Sequence, residues 1–188
     1  MLINFAKSAL VIIDVQNDYF EGGKCELVNP LQALDNIEKA LKSFRENSQT
    51  IIHVQHINSD NSINYFFPDT YGVKIHDRIA PIEGEFLVKK KDPNCFYQTD
   101  LKKLLQDNGI THLVICGMMT HMCIDTTVRA ARYEGFTASL LYDACATKNL
   151  TINRVNIPAD AVHNAYMAAL SGRFSKVIYT ESIESEVK

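Results

Sequence analysis

The chain has 188 residues, 46% of them apolar, and a formal net charge of −3. This length and apolar content favour a single globular domain spanning residues 1–188 with a sizeable core. The mildly acidic balance and the lack of long Lys/Arg runs disfavour a protein dedicated to nucleic acid or to a membrane surface. No apolar stretch approaches the roughly twenty residues of a membrane span, and residues 1–8 lack the long apolar centre of a signal peptide. The expected location is the cytoplasm.

Six short runs of apolar and β-branched residues alternate with helical patterns along the chain. This alternation predicts an α/β fold in which parallel strands are joined by crossover helices. The predicted strands are Ala9–Ile13, Thr50–Val54, Phe86–Val88, His112–Cys116, Thr137–Leu141 and Lys176–Ile178.

The sequence places the ends of two helices. Asn29 is the predicted N-cap of the first helix, and Pro30 occupies its first turn. Thr99 is the predicted cap of a short helix that ends near Asn108. The apolar residues of the first helix recur on one face, at Leu34, Ile37 and Leu41.

The last helix is predicted to begin near Pro158 and to end at Gly172. Its expected inward-facing residues are Val162, Ala165, Tyr166, Ala169 and Leu170. The acidic end of the chain, Glu181 to Lys188, is predicted to be a weakly ordered tail.

Two long connections interrupt the alternation, His56 to Glu85 and Asp143 to Pro158. Long loops in compact α/β domains are often functional. The first connection carries an aromatic cluster at residues 65–68, Tyr-Phe-Phe-Pro. This cluster could line a substrate pocket, form an oligomer interface or only fix the loop to the surface, and the sequence leaves all three alternatives open.

Five cysteines, at positions 25, 95, 116, 123 and 145, form no CxxC pair, no zinc-ligand spacing and no even-numbered disulfide framework. Free thiols in a reducing compartment are therefore expected. Cys116 lies within an apolar run and is predicted to be a buried hydrophobe, whereas Cys25, Cys95 and Cys145 lie in loop-like contexts. Cys123 has a different position, since it opens a predicted helix.

Three residues of complementary chemistry follow three of the predicted strands. Asp14 ends ALVII, Lys90 lies in FLVKKK, and Cys123 follows LVICG by a short loop. A polar residue at the end of an apolar strand lies at the carboxyl edge of a parallel sheet, where open α/β folds build their sites. A thiol, a carboxylate and an ammonium group at that edge are the parts of a nucleophilic site with its own acid–base partners.

The segments around these residues resemble the signature stretches of the isochorismatase-like cysteine hydrolases. They read ALVIIDVQNDYF, EFLVKKKDPNCFYQTDL and HLVICGMMTHMCIDTTVRAARYEGF. That family includes nicotinamidases and amidohydrolases of the carbamoylsarcosine and ureidoacrylate types. The resemblance covers most of the chain and implies a three-layer α/β/α domain, doubly wound, with a six-stranded parallel sheet in the order 3-2-1-4-5-6.

The resemblance selects one lysine from the cluster at residues 89–91. The family pattern places its lysine six residues before a phenylalanine, here Phe96, and therefore selects Lys90. The chain has Asn94 and Cys95 directly before that phenylalanine, where many relatives have Ser-Ala, and the Asn variant also occurs in the family.

The resemblance also implies an oxyanion site at the helix entry. The backbone amides of Met119 and Cys123 would hold the oxyanion, with a cis peptide bond between Met118 and Met119. A helix N-terminus and a nearby Lys⁺ favour a thiolate, so we expect a lowered pKa for Cys123. Asp14 would take the thiol proton and return it to the leaving amine.

Five further residues are predicted to contact a small-molecule substrate, because their loops follow the strands that carry the three site residues. They are Gln16, Phe20, His56, Phe67 and His121. Asp18 lies beyond the first strand in a turn, where a structural role is expected.

No metal and no other cofactor is expected. The nicotinamidase branch carries an Asp-x-His followed by further histidines after its second strand, where this chain reads HVQHINSDNS. His53 and His56 are three residues apart on an extended segment and should point to opposite faces, so they do not chelate together simply. His76 could join one of them only through a loop of unpredictable path.

The resulting hypothesis is a hydrolase that cleaves a C–N bond of a small amide-like compound through Asp14, Lys90, Cys123 and a thioester intermediate. Two alternatives are a vinyl-ether hydrolase of the isochorismatase type, in which Asp14 is the general acid, and a non-catalytic binding or regulatory homologue. Relatives in the family often form dimers or tetramers, so a homo-oligomer is expected.

Overall fold

The computed structural model describes residues 7–58 and 63–183. Every predicted run forms a strand, and six strands form one parallel sheet. The strands in chain order are β1 (Ser8–Ile13), β2 (Thr50–His56), β3 (Phe86–Lys90), β4 (His112–Met118), β5 (Thr137–Ala146), β6 (Leu150–Ile152), β7 (Val155–Ile157) and β8 (Lys176–Ile178). The sheet order is β3-β2-β1-β4-β5-β8. Because β8 is the sixth strand of this sheet, the predicted order is confirmed.

Within the described residues, α-helices cover both faces of the sheet: α1 (Pro30–Glu46), α2 (Leu101–Asp107), α3 (Asp125–Tyr133) and α4 (Ala159–Leu170). One core cluster joins α1 to one face, and a second joins α2, α3 and α4 to the other. Strand β1 belongs to both clusters, with Leu10 and Ile12 in the first and Val11 and Ile13 in the second. A strand buried on both faces is apolar throughout, which explains the run ALVII. None of the helices in the described ranges is long and apolar enough to cross a membrane.

The structure corrects the two predicted N-caps. Helix α1 begins at Pro30 as predicted, but Asn29 has a left-handed φ of 51° and its side chain makes no capping hydrogen bond. The residue before α2 is Asp100, one position later than the predicted cap. Thr99 still contributes, because its hydroxyl accepts a hydrogen bond from the Leu101 N–H at 3.3 Å.

Helix α4 has the predicted extent to within two residues, but its inward face differs. Of the predicted inward residues, Val162 and Leu170 are buried, Tyr166 is half-buried, and Ala165 and Ala169 are exposed. Met167 is buried and was not predicted. The core-facing stripe follows the larger side chains, since an alanine has little apolar surface with which to fix the phase of a helix.

The connection predicted as a loop from Asp143 to Pro158 is mostly extended structure. Strand β5 continues to Ala146, and β6 and β7 form an antiparallel hairpin. Its turn residues, Asn153 and Arg154, have φ of 50° and 65°, the left-handed pair typical of a two-residue hairpin turn. Cys145 therefore lies in a buried strand, which corrects its loop-like assignment. All five cysteines are free, as predicted.

The predicted tail is partly ordered. Glu181 lies in a short 3₁₀ helix, Thr180–Ser182, and Ile183 is buried. The carboxylate of Asp143 fixes this turn by accepting hydrogen bonds from the Thr180 N–H and hydroxyl at 2.9 and 2.8 Å. The prediction of weak order is wrong for these positions, and residues 184–188 lie outside the described residues.

Gly117 pairs with Ile13 where β4 runs beside β1. Its φ is 125°, and a Cβ built at this position would lie 2.0 Å from the carbonyl oxygen of Ile13. The obstructing atom belongs to the backbone, so no side-chain rotation relieves the contact. Position 117, one residue before the end of β4, therefore requires glycine.

We predict that Gly117→Ala destabilises the protein by about 3 kcal/mol or more, because it adds positive-φ strain to a backbone clash. Gly109→Ala is the control, since Gly109 also has a positive φ, 65°, but has open space around an added Cβ. The Gly109→Ala substitution should lower the free energy of unfolding by about 1 kcal/mol. Urea denaturation measures both losses, and equal losses would contradict the close approach of the two strands.

Candidate active site

Asp14 lies directly after β1, at the carboxyl edge of the sheet. Its backbone has a left-handed φ of 52°, a rare conformation for an L-residue that turns the chain sharply after the strand. Its N–H donates to the Val54 carbonyl at 3.0 Å, so β2 fixes the turn. The side chain is fully buried. A carboxylate in such a place needs a cationic partner or a proton.

Lys90 supplies the cation. Its Nζ lies 2.6 Å from Asp14 Oδ2, and both side chains have 0% exposure. The same ammonium group donates to His56 Nδ1 at 3.0 Å and to the Asp92 carbonyl at 3.1 Å. It also donates to Cys123 Sγ at 3.3 Å. One positive charge thus contacts a carboxylate, an imidazole and a thiol.

The alternation along β3 explains why Lys90 reaches the site. Val88 and Lys90 are buried, whereas the alternate residues Leu87 and Lys89 are exposed. Lys91 follows the strand and is exposed. Of the three consecutive lysines, the one selected by the family pattern is therefore the one that meets Asp14.

Cys123 lies in a turn of π-helix, Thr120–Ile124, that leads into α3. The Ile124 N–H donates to the Met119 carbonyl at 3.3 Å, which closes this wide turn. The peptide bond between Met118 and Met119 is cis, as the resemblance implied. Met119 and Cys123 line the same cavity. The cis peptide bond is therefore confirmed, whereas the π-helical first turn was not revealed by the sequence.

The protonation state of Cys123 differs from the prediction. Burial and the adjacent Asp14 carboxylate raise the pKa of Cys123 well above its usual value, and the Lys90 ammonium offsets this only in part. The predicted lowering of this pKa is wrong, because the thiol has too little contact with water and too much with a carboxylate. Neither Asp14 oxygen has a hydrogen bond of regular geometry among the described residues, so the carboxylate has free lone pairs beside a protonated thiol.

The charges of Lys90 and His56 follow from the same contacts. Burial alone would lower the pKa of Lys90, but the Asp14 carboxylate raises it to a net value above its usual range. Burial and the Lys90 charge together lower the pKa of His56. The site therefore contains a charged lysine and a neutral histidine near neutral pH.

A cavity of about 200 Å³ opens beside the thiol. Its lining, as far as the structure describes it, is Tyr19, His56, Asn58, Ile63, Tyr65, Phe66, Lys91, Pro93, Met119, Met122 and Cys123. This volume is below the roughly 300–1,000 Å³ of sites for drug-sized ligands, so a small molecule fits it. A larger cleft of about 300 Å³ lies beside β5 and α4, and its described lining contains neither the thiol nor its partners.

Of the five predicted substrate contacts, His56 lines this cavity, whereas Gln16 and Phe20 lie elsewhere. The Gln16 amide donates to the His56 and Val73 carbonyls at 2.9 and 2.7 Å, and it accepts the His56 N–H at 2.8 Å. Phe20 packs against the ring of His76, with ring centroids 4.4 Å apart. Both predictions are corrected, because these side chains are held by other partners and are not part of the described cavity lining.

Phe67 and His121 are also placed outside the cavity lining. Phe67 is half-buried beneath Lys24, whose Nζ lies 5.6 Å from the ring centroid. The Nδ1 atom of His121 lies 2.6 Å from Thr147 Oγ1. Neighbouring residues of the same segments line the cavity, but the direction of each side chain along an irregular segment could not be read from the sequence.

The aromatic wall of the cavity comes from residues that the sequence did not single out individually. Tyr19 lies in a short 3₁₀ helix, Asn17–Tyr19, and its ring centroid is 4.7 Å from that of Phe66. Tyr65 and Phe66 belong to the aromatic cluster for which a pocket wall was one of three alternatives. Tyr19 could have been predicted to line the cavity, because it is an aromatic residue in the segment that carries Asp14.

Asp18 anchors this aromatic segment, in agreement with its expected structural role. Its Oδ2 accepts the Phe66 N–H at 2.7 Å, and its Oδ1 accepts the Lys24 N–H at 3.1 Å. Gly72 approaches so closely that an added Cβ would lie 2.1 Å from Asp18 Oδ1. The carboxylate thus holds Phe66 against the cavity.

Asp14, His56 and Cys123 each offer one potential metal-ligand atom, and these atoms lie within 4.8 Å of one another. The Lys90 ammonium contacts all three residues. A metal ion between them would lie against a buried positive charge, so the donor set does not fit a divalent cation while Lys90 holds this position. His53 points elsewhere and binds Glu85 Oε2 at 2.8 Å. The absence of a metal requirement stays a prediction.

The sequence and the fold match those of a known family. A family model for the isochorismatase domain matches residues 8–182, so the chain belongs to the isochorismatase family of hydrolases. It is 47% identical to the isochorismatase family protein YddQ of Bacillus subtilis, over 93% of this chain and 97% of YddQ.

Two further proteins extend this comparison. The crystal structure of an isochorismatase from Pseudomonas putida has a TM-score of 0.91 at 33% identity, and the match covers 97% of this chain and 93% of that chain. The ureidoacrylate amidohydrolase RutB of Klebsiella pneumoniae is 26% identical, over 73% of this chain and 72% of RutB. The relatives of this hydrolase therefore include an amidohydrolase.

We predict that Lys90→Met destabilises the protein by about 3–5 kcal/mol, because it leaves the buried Asp14 carboxylate without its counter-charge. Lys91→Met is the matched control, since Lys91 is exposed and its loss should change stability by no more than about 0.5 kcal/mol. Urea denaturation of both variants measures the difference. Similar stabilities would show that the ion pair is not a structural requirement.

Proposed function

We propose that this hydrolase cleaves a C–N bond of a small amide-like compound, with Cys123 as nucleophile, Asp14 as proton carrier and Lys90 as the charge that holds both in place. The observation that carries the proposal is the position of Lys90 Nζ, 2.6 Å from Asp14 Oδ2 and 3.3 Å from Cys123 Sγ. A nucleophile at the cavity wall then has a base and an orienting cation buried directly behind it. The amidohydrolase relative RutB supports the same class of bond.

The first half of the reaction starts from the neutral thiol. As Sγ attacks the carbonyl carbon, Asp14 takes the thiol proton, so that charge moves from the carboxylate to the oxygen of the tetrahedral intermediate. The backbone N–H groups of Met119 and Cys123 are the proposed donors to this oxyanion. The intermediate collapses when the C–N bond breaks, and Asp14 returns its proton to the leaving nitrogen. The product is a thioester on Cys123 and a free amine or ammonia.

The second half regenerates the site. Asp14 is again a carboxylate and takes a proton from a water molecule that attacks the thioester. Collapse of the second tetrahedral intermediate breaks the C–S bond, and the proton on Asp14 passes to Sγ. The acid product leaves. Lys90 stays charged throughout. Because it is already protonated, it cannot accept the proton that moves between the Asp14 carboxylate and the Cys123 thiol.

We predict that Cys123→Ala lowers the release of ammonia from a small-amide panel by at least about 10³-fold, because it removes the sulfur that would carry the acyl intermediate. Intact-mass analysis of rapidly quenched parent protein should show an acyl adduct on Cys123. Cys145→Ala removes another buried cysteine, at 7% exposure, and should retain activity.

Two outcomes would exclude the proposed chemistry. A Cys123→Ala protein with full activity on a vinyl ether would favour general acid catalysis by Asp14 without a nucleophile. A parent protein that reacts with no amide and whose Cys123 resists every acylating reagent would favour a non-catalytic homologue.

A further inference from the structure

The cleft of about 300 Å³ beside β5 and α4 is a second candidate binding site. It lies where the end of β5 meets the first turns of α1 and α4. Its volume reaches the lower end of the roughly 300–1,000 Å³ that is typical of sites for small organic ligands. Because Asp14, Lys90 and Cys123 are not part of its described lining, a ligand here would be bound outside the proposed catalytic site.

The buried part of the cleft offers space next to small apolar side chains. Ala33 in α1, Cys145 and Ala146 in β5, and Ala159 in α4 all line the cleft, and none of them is more than 7% exposed. Side chains of this size leave room beside them for a few carbon atoms of a ligand. An alkyl group would bury its surface there and gain the usual hydrophobic stabilisation.

Three rings form an aromatic corner at the cleft, defined by Tyr142, His163 and Tyr179. The Tyr142 ring centroid lies 4.8 Å from that of His163 and 5.2 Å from that of Tyr179. The Tyr142 hydroxyl donates to Asn164 Oδ1 at 2.5 Å, which fixes the ring. Tyr179 is 53% exposed, so much of its surface is open to a ligand. The faces of tyrosine rings attract cations, and organic ammonium ions in particular.

The charges around the aromatic corner favour the same kind of ligand. The Asp143 and Asp160 carboxylates line the cleft, and no lysine or arginine is part of its described lining. Asp143 Oδ1 accepts two hydrogen bonds from Thr180, whereas no described residue donates to Asp143 Oδ2. Burial lowers the pKa of His163, so this imidazole adds no positive charge near neutral pH. The cleft is therefore an anionic environment.

We propose that the cleft beside β5 and α4 is a binding site for a small organic ammonium ion. The alkyl part of the ligand would pack against the buried apolar residues. Its ammonium group would lie between the aromatic corner and the Asp143 and Asp160 carboxylates, and each of these contacts would add a modest attraction. A neutral molecule of the same shape would gain only the apolar part. The proposal does not depend on the chemistry of Cys123.

The experiment is an NMR titration of isotope-labelled protein with n-butylammonium. Separate titrations use n-butanol and butyrate, which have the same number of carbon atoms but no charge or a negative charge. Butylammonium should bind with a Kd of about 1 mM or lower and at least about 10-fold more tightly than either analogue. The shifted amides should cluster at residues 142–147 and 159–164. High salt should weaken the binding, because part of the attraction is between charges.

Substitutions at exposed positions test the two attractions separately. Tyr179→Leu removes an aromatic face and should weaken butylammonium binding by about 3- to 5-fold, whereas Tyr179→Phe retains the ring and should bind as the parent does. Asp160→Asn removes a charge and should weaken binding by about 2- to 5-fold. Tyr133→Leu is the matched control, since Tyr133 is an 81% exposed tyrosine outside the described lining, and it should leave the affinity unchanged.

The outcomes distinguish the ligand class from the location of the site. Butanol or butyrate that binds as tightly as butylammonium would overturn the ligand class. Shifts confined to the cavity beside Cys123, or an affinity that neither Tyr179→Leu nor Asp160→Asn changes, would overturn the location. The absence of any amide shift on titration with butylammonium would overturn the proposal as a whole.

Discussion

The ion pair between Asp14 Oδ2 and Lys90 Nζ, 2.6 Å apart and closed to water, is the interaction on which the site depends. Its partners end β1 and β3, two strands that are separated by β2 in the sheet. Long side chains at the carboxyl edge can meet above the intervening strand, and His56 at the end of β2 fills the gap between them. Without the lysine, a carboxylate at this position would carry an uncompensated charge in the core.

The same burial decides the protonation state of the proposed nucleophile, Cys123. A thiol beside a lysine and a helix entry would be a thiolate if it were hydrated, but here burial and the neighbouring carboxylate outweigh the lysine and raise the pKa of Cys123. In the proposed mechanism, charge separation is therefore deferred until a substrate occupies the cavity and Asp14 takes the proton. A protonated thiol is less exposed to adventitious oxidation or alkylation, since the thiolate is the reactive species.

Much of this arrangement could be predicted from the sequence, because apolar runs define the strands and a polar residue at the end of a run defines the edge of the sheet. Asp14, Lys90 and Cys123 carry that signal. The sequence could not predict which of the adjacent residues Phe66 and Phe67 lines the cavity, because this depends on the path of an irregular loop anchored by Asp18. The pKa of Cys123 was mispredicted because it depends on a balance of burial and distance. The homo-oligomer and the cytoplasmic location stay predictions.

The most direct test of the central claim is the pKa of the Cys123 thiol, measured by the ultraviolet absorbance of the thiolate across pH as the difference between the parent and its Cys123→Ala variant. The measurement is repeated in an Asp14→Asn background. The account predicts a pKa above that of an ordinary thiol in the parent. It also predicts a lower pKa in Asp14→Asn, because removal of the carboxylate leaves Lys90 to stabilise the thiolate. A thiolate already present at neutral pH in the parent, or a pKa unchanged by Asp14→Asn, would contradict the claim that the buried carboxylate holds the thiol proton in place.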